Sequence, residues 1–140
     1  MSVTSTPIFP QTIKSSEVQI LPADTSSLKT LYTAGANGSR IEAIYATNTD
    51  TAAAYAIQLT VVESATNYLL GTINLPLSSG NTTAAPTVNL FNAGTQLVLN
   101  KDSDGNPYIY LESGAVLKVN STTTVNSGKI LSFVANGGDY

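Results

Sequence analysis

The stretch YAIQLTV, residues 55–61, carries the clearest alternation of apolar and polar side chains in the chain. Successive side chains of a β-strand point to opposite faces, so this period of two predicts a half-buried strand. The large apolar side chains that share the expected core face are Tyr55, Ile57, Leu59 and Val61. The opposite face receives Ala56, Gln58 and Thr60.

Similar short segments continue in both directions from this stretch, separated by turn residues at intervals of roughly 8–12 residues. The segment KILSFVA, residues 129–135, is almost entirely apolar and indicates a central strand. Counting the segments gives eight or nine strands, and no helical period is longer than one turn. The sequence therefore predicts an all-β protein, a β-sandwich or jelly roll, with residues 17–140 in a single domain.

Three local expectations follow from turn chemistry. The Gly-rich AGANGS, residues 34–39, predicts a hairpin between the strands on either side. In YLLGTINL, residues 68–75, Leu69, Ile73 and Leu75 should share a face, interrupted by a bulge or a close backbone approach at Gly71. TVNLFNA, residues 87–93, lies between Pro86 and Gly94, which favours a single helical turn over a strand.

Residues 1–16 have a different composition from the rest of the chain. Pro7 and Pro10 stand among Ser and Thr, which predicts an extended N-terminal arm outside the core. Ile8, Phe9 and Ile13 give this arm apolar side chains that a purely solvating tail would not carry. We expect these three residues to contact a partner.

The charge composition of the chain limits the classes of partner that we expect it to bind. Of 140 residues only 11% are charged, and the net charge is −3. The six Lys and Arg residues are not clustered, so nucleic acid and an anionic membrane are not expected partners. The N-terminus lacks the pattern of a secretory signal, and no apolar run approaches the length of a membrane span.

Catalytic chemistry has few candidate residues. The sequence contains no histidine and no cysteine, which excludes His- and Cys-based triads and the usual zinc sites. Glu42 and Glu63 could form a glycosidase-like carboxylate pair, but both fit the solvent faces of amphipathic strands. We therefore expect no catalytic residues, no cofactor and no enzymatic activity.

The stretch KDSDGNPYIYLESG, residues 101–114, places Asp102, Asp104 and Asn106 at alternate positions, as in the first half of a calcium loop. Gly105 comes two positions too early for that loop, and Ser113 stands where its bidentate glutamate belongs. Asp-Gly followed by Asn-Pro is instead typical of a tight turn leading into a strand. The expected structure is a hairpin turn, with no metal site.

Tyr108 and Tyr110 share one face of the strand YIYL, residues 108–111, opposite Ile109 and Leu111. Large side chains on both faces indicate that both faces are covered. Contact with a second subunit or a loop is the first interpretation for the two tyrosines. Core packing and glycan contact are the alternatives.

Three segments together resemble small structural proteins of tailed-bacteriophage virions: AGANGSRIEAIYATNTDTAA, GNPYIYLESGAVLKV and the ending FVANGGDY. The shared features are a Gly-Ser hairpin, an Asn-Thr-Asp turn, a Gly-Asn-Pro-Tyr turn and strand, and a Gly-Gly-Asp-aromatic ending. The resemblance extends over about residues 13–140. It consists mainly of turn residues.

The resemblance implies a structural role, as a capsid decoration (cement) protein that binds and stabilises the head shell from outside. The expected partners are copies of the chain itself, as a homo-oligomer with a trimer as the first expectation, and the major capsid protein or other virion proteins. The expected location is the virion, after synthesis in the host cytoplasm. The alternatives are a tail, neck or baseplate component and, from another class, a carbohydrate-binding module or adhesin.

Overall fold

The computed structural model describes residues 9–92 and 97–140, and these residues form ten β-strands and two short 3-10 turns. The strands are β1 (Thr12–Ile20), β2 (Lys29–Thr33), β3 (Ser39–Asn48), β4 (Tyr55–Glu63), β5 (Thr66–Leu75), β6 (Val88–Asn89), β7 (Asn100–Lys101), β8 (Pro107–Leu111), β9 (Val116–Ser121) and β10 (Leu131–Asp139). The 3-10 turns are Pro22–Asp24 and Leu90–Asn92.

The strands form two antiparallel sheets, as a β-sandwich requires. The six-stranded sheet has the order β1-β10-β3-β8-β7, and β6 also pairs with β3. The four-stranded sheet has the order β2-β9-β4-β5. The predicted all-β sandwich is confirmed, with ten strands instead of eight or nine. The segment expected to form only a helical turn contributes both the additional strand β6 and the turn Leu90–Asn92.

The core lies between the two sheets and has the alternation read from the sequence. The four predicted core residues of β4 are buried, and β10 is central, between β1 and β3. The largest fully buried side chains are Tyr32, Phe133, Ile20, Leu31, Ile41, Ile44, Ile57, Leu59, Ile73, Leu75, Leu90 and Leu111. Removing this much apolar surface from water is the main stabilising contribution to the fold.

The predicted boundary of the N-terminal arm at residue 16 is wrong. Strand β1 begins at Thr12, and its backbone pairs with β10 over its whole length, from Thr12 opposite Asp139 to Ile20 opposite Leu131. Thr and Ile suit an extended strand, and the polar residues of β1 lie at a sheet edge where water reaches them. Of the arm residues expected to contact a partner, Ile8 lies outside the described residues.

The hairpin expected at residues 34–39 is also wrong. The turn forms, with Gly38 at φ +89° and its N–H donating to the Gly35 carbonyl. The strands on either side then enter different sheets, because β2 pairs with β9 while β3 pairs with β10 and β8. A Gly-rich turn supports a crossing between sheets as well as a hairpin, so its residues did not decide the pairing.

A bulge in β5 changes which side chains face the core. Gly71 is opposite Leu59 and Leu69 is opposite Thr60, so Leu70 is the extra residue. The predicted irregularity near Gly71 is confirmed. The expectation that Leu69 shares the core face with Ile73 is wrong, because the extra residue reverses the alternation and leaves Leu69 57% exposed.

Candidate interaction surface

The outer face of the six-stranded sheet brings together most of the exposed aromatic and aliphatic side chains of that sheet. We call it the tyrosine face and define it by Ile13, Tyr45, Tyr108, Tyr110 and Tyr140. Ile13 is 95% exposed, Tyr110 48% and Tyr45 41%. The outer face of an antiparallel sheet is usually polar, so this surface differs from an ordinary solvent face.

Strand register explains how distant parts of the sequence meet on this face. Ile13 is opposite Gly138, Gly138 is opposite Arg40, and Arg40 is opposite Tyr110. Residues directly opposite each other place their side chains on the same face of a sheet. Four strands thus contribute to one row that runs from Ile13 at the sheet edge to Tyr110.

Two adjacent glycines of β10, one of which is Gly138 in this row, are required by their surroundings. A side chain at Gly137 would begin 2.1 Å from the Arg40 carbonyl oxygen, where the pairing of β10 with β3 shifts by one residue. A side chain at Gly138 would begin 2.7 Å from Cβ of Pro10. Pro10 therefore lies over Gly138, and Phe9, the residue before it in the chain, is 71% exposed.

Arg40 holds one side of the tyrosine face in place. Its Nη2 donates to Asp102 Oδ2 at 2.9 Å, and its Nε lies 3.2 Å from Glu42 Oε1. The guanidinium also covers the ring of Tyr108, 4.5 Å from the ring centroid. Tyr108 is therefore half-buried by an intramolecular partner, whereas Tyr110 remains available.

The stretch with the calcium-like spacing is a hairpin turn between β7 and β8, as predicted. Asp102 organises it by accepting hydrogen bonds at Oδ1 from the backbone N–H groups of Asp104 and Asn106, at 3.0 and 2.9 Å. The N–H of Asn106, followed by the Arg40 guanidinium, lowers the pKa of Asp102. Both carboxylate oxygens are thus already engaged by protein groups.

Tyr110 and Tyr140 line a depression at the end of the sheet, together with Gln11 and Asn37, with a volume of about 540 Å³. The two rings are 5.9 Å apart and tilted by 58°. Asn37 Nδ2 donates to the Tyr140 carbonyl, which fixes the last residue against the 34–39 turn. The side chains that line the depression are uncharged.

Below this end of the tyrosine face lies a polar cluster around Asp139. Its Oδ1 accepts hydrogen bonds from Ser39 Oγ and Tyr32 Oη, and its Oδ2 lies 3.4 Å from Lys14 Nζ. Burial raises the pKa of Asp139, but the Ser39 hydrogen bond and the Lys14 charge outweigh it and leave the pKa lowered. Burial, followed by the charge of Asp139, raises the pKa of Tyr32 to about 12.

A second polar cluster, around Asp50, closes the opposite end of the sandwich. Asp50 is 1% exposed. It accepts from the N–H groups of Ala52 and Ala53, from Tyr55 Oη at 2.8 Å and from Asn126 Nδ2 at 2.8 Å. Hydrogen bonds from the Ala52 N–H and the Tyr55 hydroxyl are the main causes that lower its pKa to about 2.

The two clusters are arranged to hold loops and strand ends together. Their carboxylates are engaged by several protein donors at once, which is the arrangement of a structural anchor. The possible pair Glu42 and Glu63 is divided between the two sheets, and Glu42 is bound to Arg40. Over residues 9–92 and 97–140, no group of three or more His, Cys, Asp or Glu residues is placed to hold a metal ion.

A second apolar surface lies at the open side of the sandwich, between β5 and β8. Val61, Tyr68, Leu70, Val98 and Tyr110 are among the residues that line this groove of about 330 Å³. The sequence did not reveal the contribution of β5 because the bulge at Leu70 changes which side chains face the core.

None of the helices in the described part of the chain has the length and apolar character to cross a membrane.

The structure places Ile13 and Tyr110 on one face, leaves Phe9 exposed, and buries part of Tyr108 under Arg40. Sequence reasoning missed Tyr45 and Tyr140. The signal for Tyr45 was present, because it alternates with the core residues Ile44 and Ala46.

No protein-family model matches the chain, and no curated protein matches it in sequence.

Proposed function

We propose that this protein is a structural component of a tailed-phage virion, a capsid decoration protein that binds the outside of the head shell through the tyrosine face. The observation that carries the proposal is the presence of three exposed large apolar side chains, Ile13, Tyr45 and Tyr110, on the outside of the six-stranded sheet. Exposed apolar side chains on a contiguous surface mark sites of protein contact. The resemblance to virion proteins supplies the shell as the partner.

The composition of the other outer face supports the choice of surface. Apart from its edge strand β5, where Tyr68 and Leu69 are exposed, the four-stranded sheet presents polar side chains outward. Some of these are bonded to each other, as Gln58 is to Thr72 and Asn120. Thr30 and Lys118 continue this polar surface. A protein that binds a shell through one face and exposes the other to water needs two faces that differ in polarity in this way.

The absence of histidine and cysteine supports a non-enzymatic role, and so does the use of Asp50 and Asp139 as anchors. The proposal includes self-association on the shell. A trimer remains the prediction from the sequence. A tail, neck or baseplate component would use the same kind of surface on a different partner, with far fewer copies.

The experiment compares two variants that each place two carboxylates on one outer face. Ile13→Glu with Tyr110→Glu alters the tyrosine face, and Thr30→Glu with Gln58→Glu alters the polar face of the other sheet. Binding to purified shells that lack the protein should be weakened more than about 100-fold by the first pair and less than about threefold by the second. Equal effects of the two pairs would reject the tyrosine face as the attachment surface.

Carbohydrate binding is a second candidate, and one observation favours it. The depression between Tyr110 and Tyr140 combines two ring faces with the uncharged amides of Gln11 and Asn37. Such a lining suits a neutral, hydroxyl-rich ligand, because rings contact its apolar face while amides bond its hydroxyls. A glycan array gives the answer: specific binding that Tyr140→Ala abolishes would support an adhesin, and an empty array would reject it.

A further inference from the structure

Strand β5 is a long outer strand of the four-stranded sheet. It has ten residues, and within residues 9–92 and 97–140 its one neighbouring strand is β4. The backbone groups along the free edge of such a strand can pair with another strand. Natural proteins usually protect these edges with charged side chains, prolines or very short strands.

The centre of β5 is apolar and exposed. Tyr68 is 54% exposed, Leu69 57% and Leu70 38%. These three residues are consecutive and lie at the bulge, so apolar side chains are presented on both sides of the strand. An exposed apolar edge of this length is the kind of surface that associates with another chain.

The other outer strands of five or more residues carry the protection that β5 lacks. Strand β1 contains Lys14 and Glu17, and β2 begins with Lys29 and has five residues. Strand β5, TNYLLGTINL, contains no charged residue and no proline. Edge pairing is therefore opposed by charge at β1 and β2 but not at β5.

The neutrality of β5 selects a second copy of the chain as its partner. In antiparallel pairing about a two-fold axis, a residue near the axis lies opposite its own copy, so any charge there would face a like charge. The whole chain has a net charge of −3, and two copies repel each other least where a neutral strand meets itself.

We propose that two copies associate through β5, in antiparallel register centred near Leu69. Each Tyr68 would then lie opposite Leu70 of the second copy, which gives two aromatic–aliphatic cross-strand pairs. The two four-stranded sheets would become one continuous sheet. The tyrosine face belongs to the other sheet, although its residues Tyr108 and Tyr110 line the groove beside Tyr68 and Leu70. Pairing through β5 joins two copies of the chain, so this inference goes beyond shell binding. A two-fold contact favours a dimer, or an even-numbered assembly, over a trimer.

The first test measures molar mass by sedimentation equilibrium of the full chain at about 1–100 µM. We expect a dimer. Leu69→Lys should weaken dimerisation by at least about tenfold, because it places two ammonium groups at the axis. Gln19→Lys is the matched control, since it adds the same charge to the exposed side of outer strand β1, and it should leave the dimer intact.

The second test uses the absence of cysteine from the sequence. In the proposed register Leu69→Cys places two thiols opposite each other at a separation that a disulfide spans. Oxidation should give a covalent dimer rapidly for Leu69→Cys and slowly for Gln19→Cys. A monomer at all concentrations, or equal cross-linking of both variants, would overturn the proposal. A monomer would indicate that β5 pairs with a strand of another protein. Melting curves of both lysine variants verify that each is folded.

Discussion

Each end of the sandwich is held by an aspartate bonded to a tyrosine, but Asp50 is buried whereas Asp139 is partly exposed, and the two ends balance the charge differently. Asp50 receives its hydrogen bonds from neutral donors, two backbone N–H groups, Tyr55 and Asn126. Asp139 has a cation, Lys14, beside its tyrosine and serine donors. The difference indicates that the Asp50 end is a rigid closure, whereas the Asp139 end is partly exposed and supports the tyrosine face.

The largest stability effect should come from Asp50→Ala. This change removes the common acceptor of four donors and leaves Tyr55 Oη and Asn126 Nδ2 without that partner inside a closed end. We expect the melting temperature to fall by roughly 10 °C or more. Asp139→Ala should cause about half that fall, because water reaches the Asp139 end and can replace part of what is lost.

Asp104→Ala is the control for both changes in thermal unfolding. The Asp104 side chain is exposed, and its contribution to the turn is made by its backbone N–H. It should lower the melting temperature by no more than about 2 °C. If Asp139→Ala were as damaging as Asp50→Ala, the two ends would not differ in the way described.

Acid should weaken the Asp50 end. The pKa of Asp50 is about 2 in the folded protein, below the ordinary value of 3.8. A lowered aspartate pKa stabilises the folded state fully above the unfolded value, and this contribution is lost as pH falls from about 4 to about 2. Urea unfolding across this range should show a steep loss of stability that is clearly smaller in Asp50→Asn. An unchanged slope in that variant would remove Asp50 as the cause.

Alkali should weaken the Asp139 end. The pKa of Tyr32 is raised from 10.0 to about 12, so its contribution to stability is complete below pH 10 and is lost as pH rises towards 12. Tyr32→Phe cannot titrate there and should flatten this part of the unfolding profile. Tyr45 is exposed on the outer face of the six-stranded sheet, so Tyr45→Phe is the control and should leave the unfolding profile unchanged.

The smallest effect should be a gain in stability at the turn between β4 and β5, which lies at the Asp139 end. Ser64 and Ala65 have φ values of +48° and +63°, which residues other than Asn and Gly rarely adopt. Ser64→Asn combined with Ala65→Gly should raise the melting temperature by about 2–5 °C. No gain, or a loss, would show that this turn is not strained.

The sequence predicted those parts of the fold that depend on neighbouring residues. The alternation of β4, the central position of β10 and the Asp-Gly turn before β8 all follow from local patterns. The crossing between sheets at Gly38 did not, because the same turn residues serve hairpins and crossings alike. The bulge in β5 decides on which face Leu69 lies, and the sequence indicated only that an irregularity occurs near Gly71.

The candidate surface was predictable only in part for the same reason. Tyr110 was found from the alternation of one strand, but the place of Ile13 in the same row and the contact of Tyr140 with Tyr110 depend on the pairing of strands distant in sequence. The turn at Asp50 was recognised, whereas its burial was not, because its partner Asn126 lies 76 positions away in the chain. Long-range pairing of this kind leaves no mark in a local pattern.

The proposed function is tested most directly by the number of copies of this protein in each purified virion of the phage to which the proposal assigns it. Quantitative mass spectrometry against the major capsid protein gives that number. A decoration protein bound across the head shell should be present in hundreds of copies, as the symmetry of a shell requires. A dozen copies or fewer would place the protein in the tail or neck, and its absence from the virion would contradict the structural role.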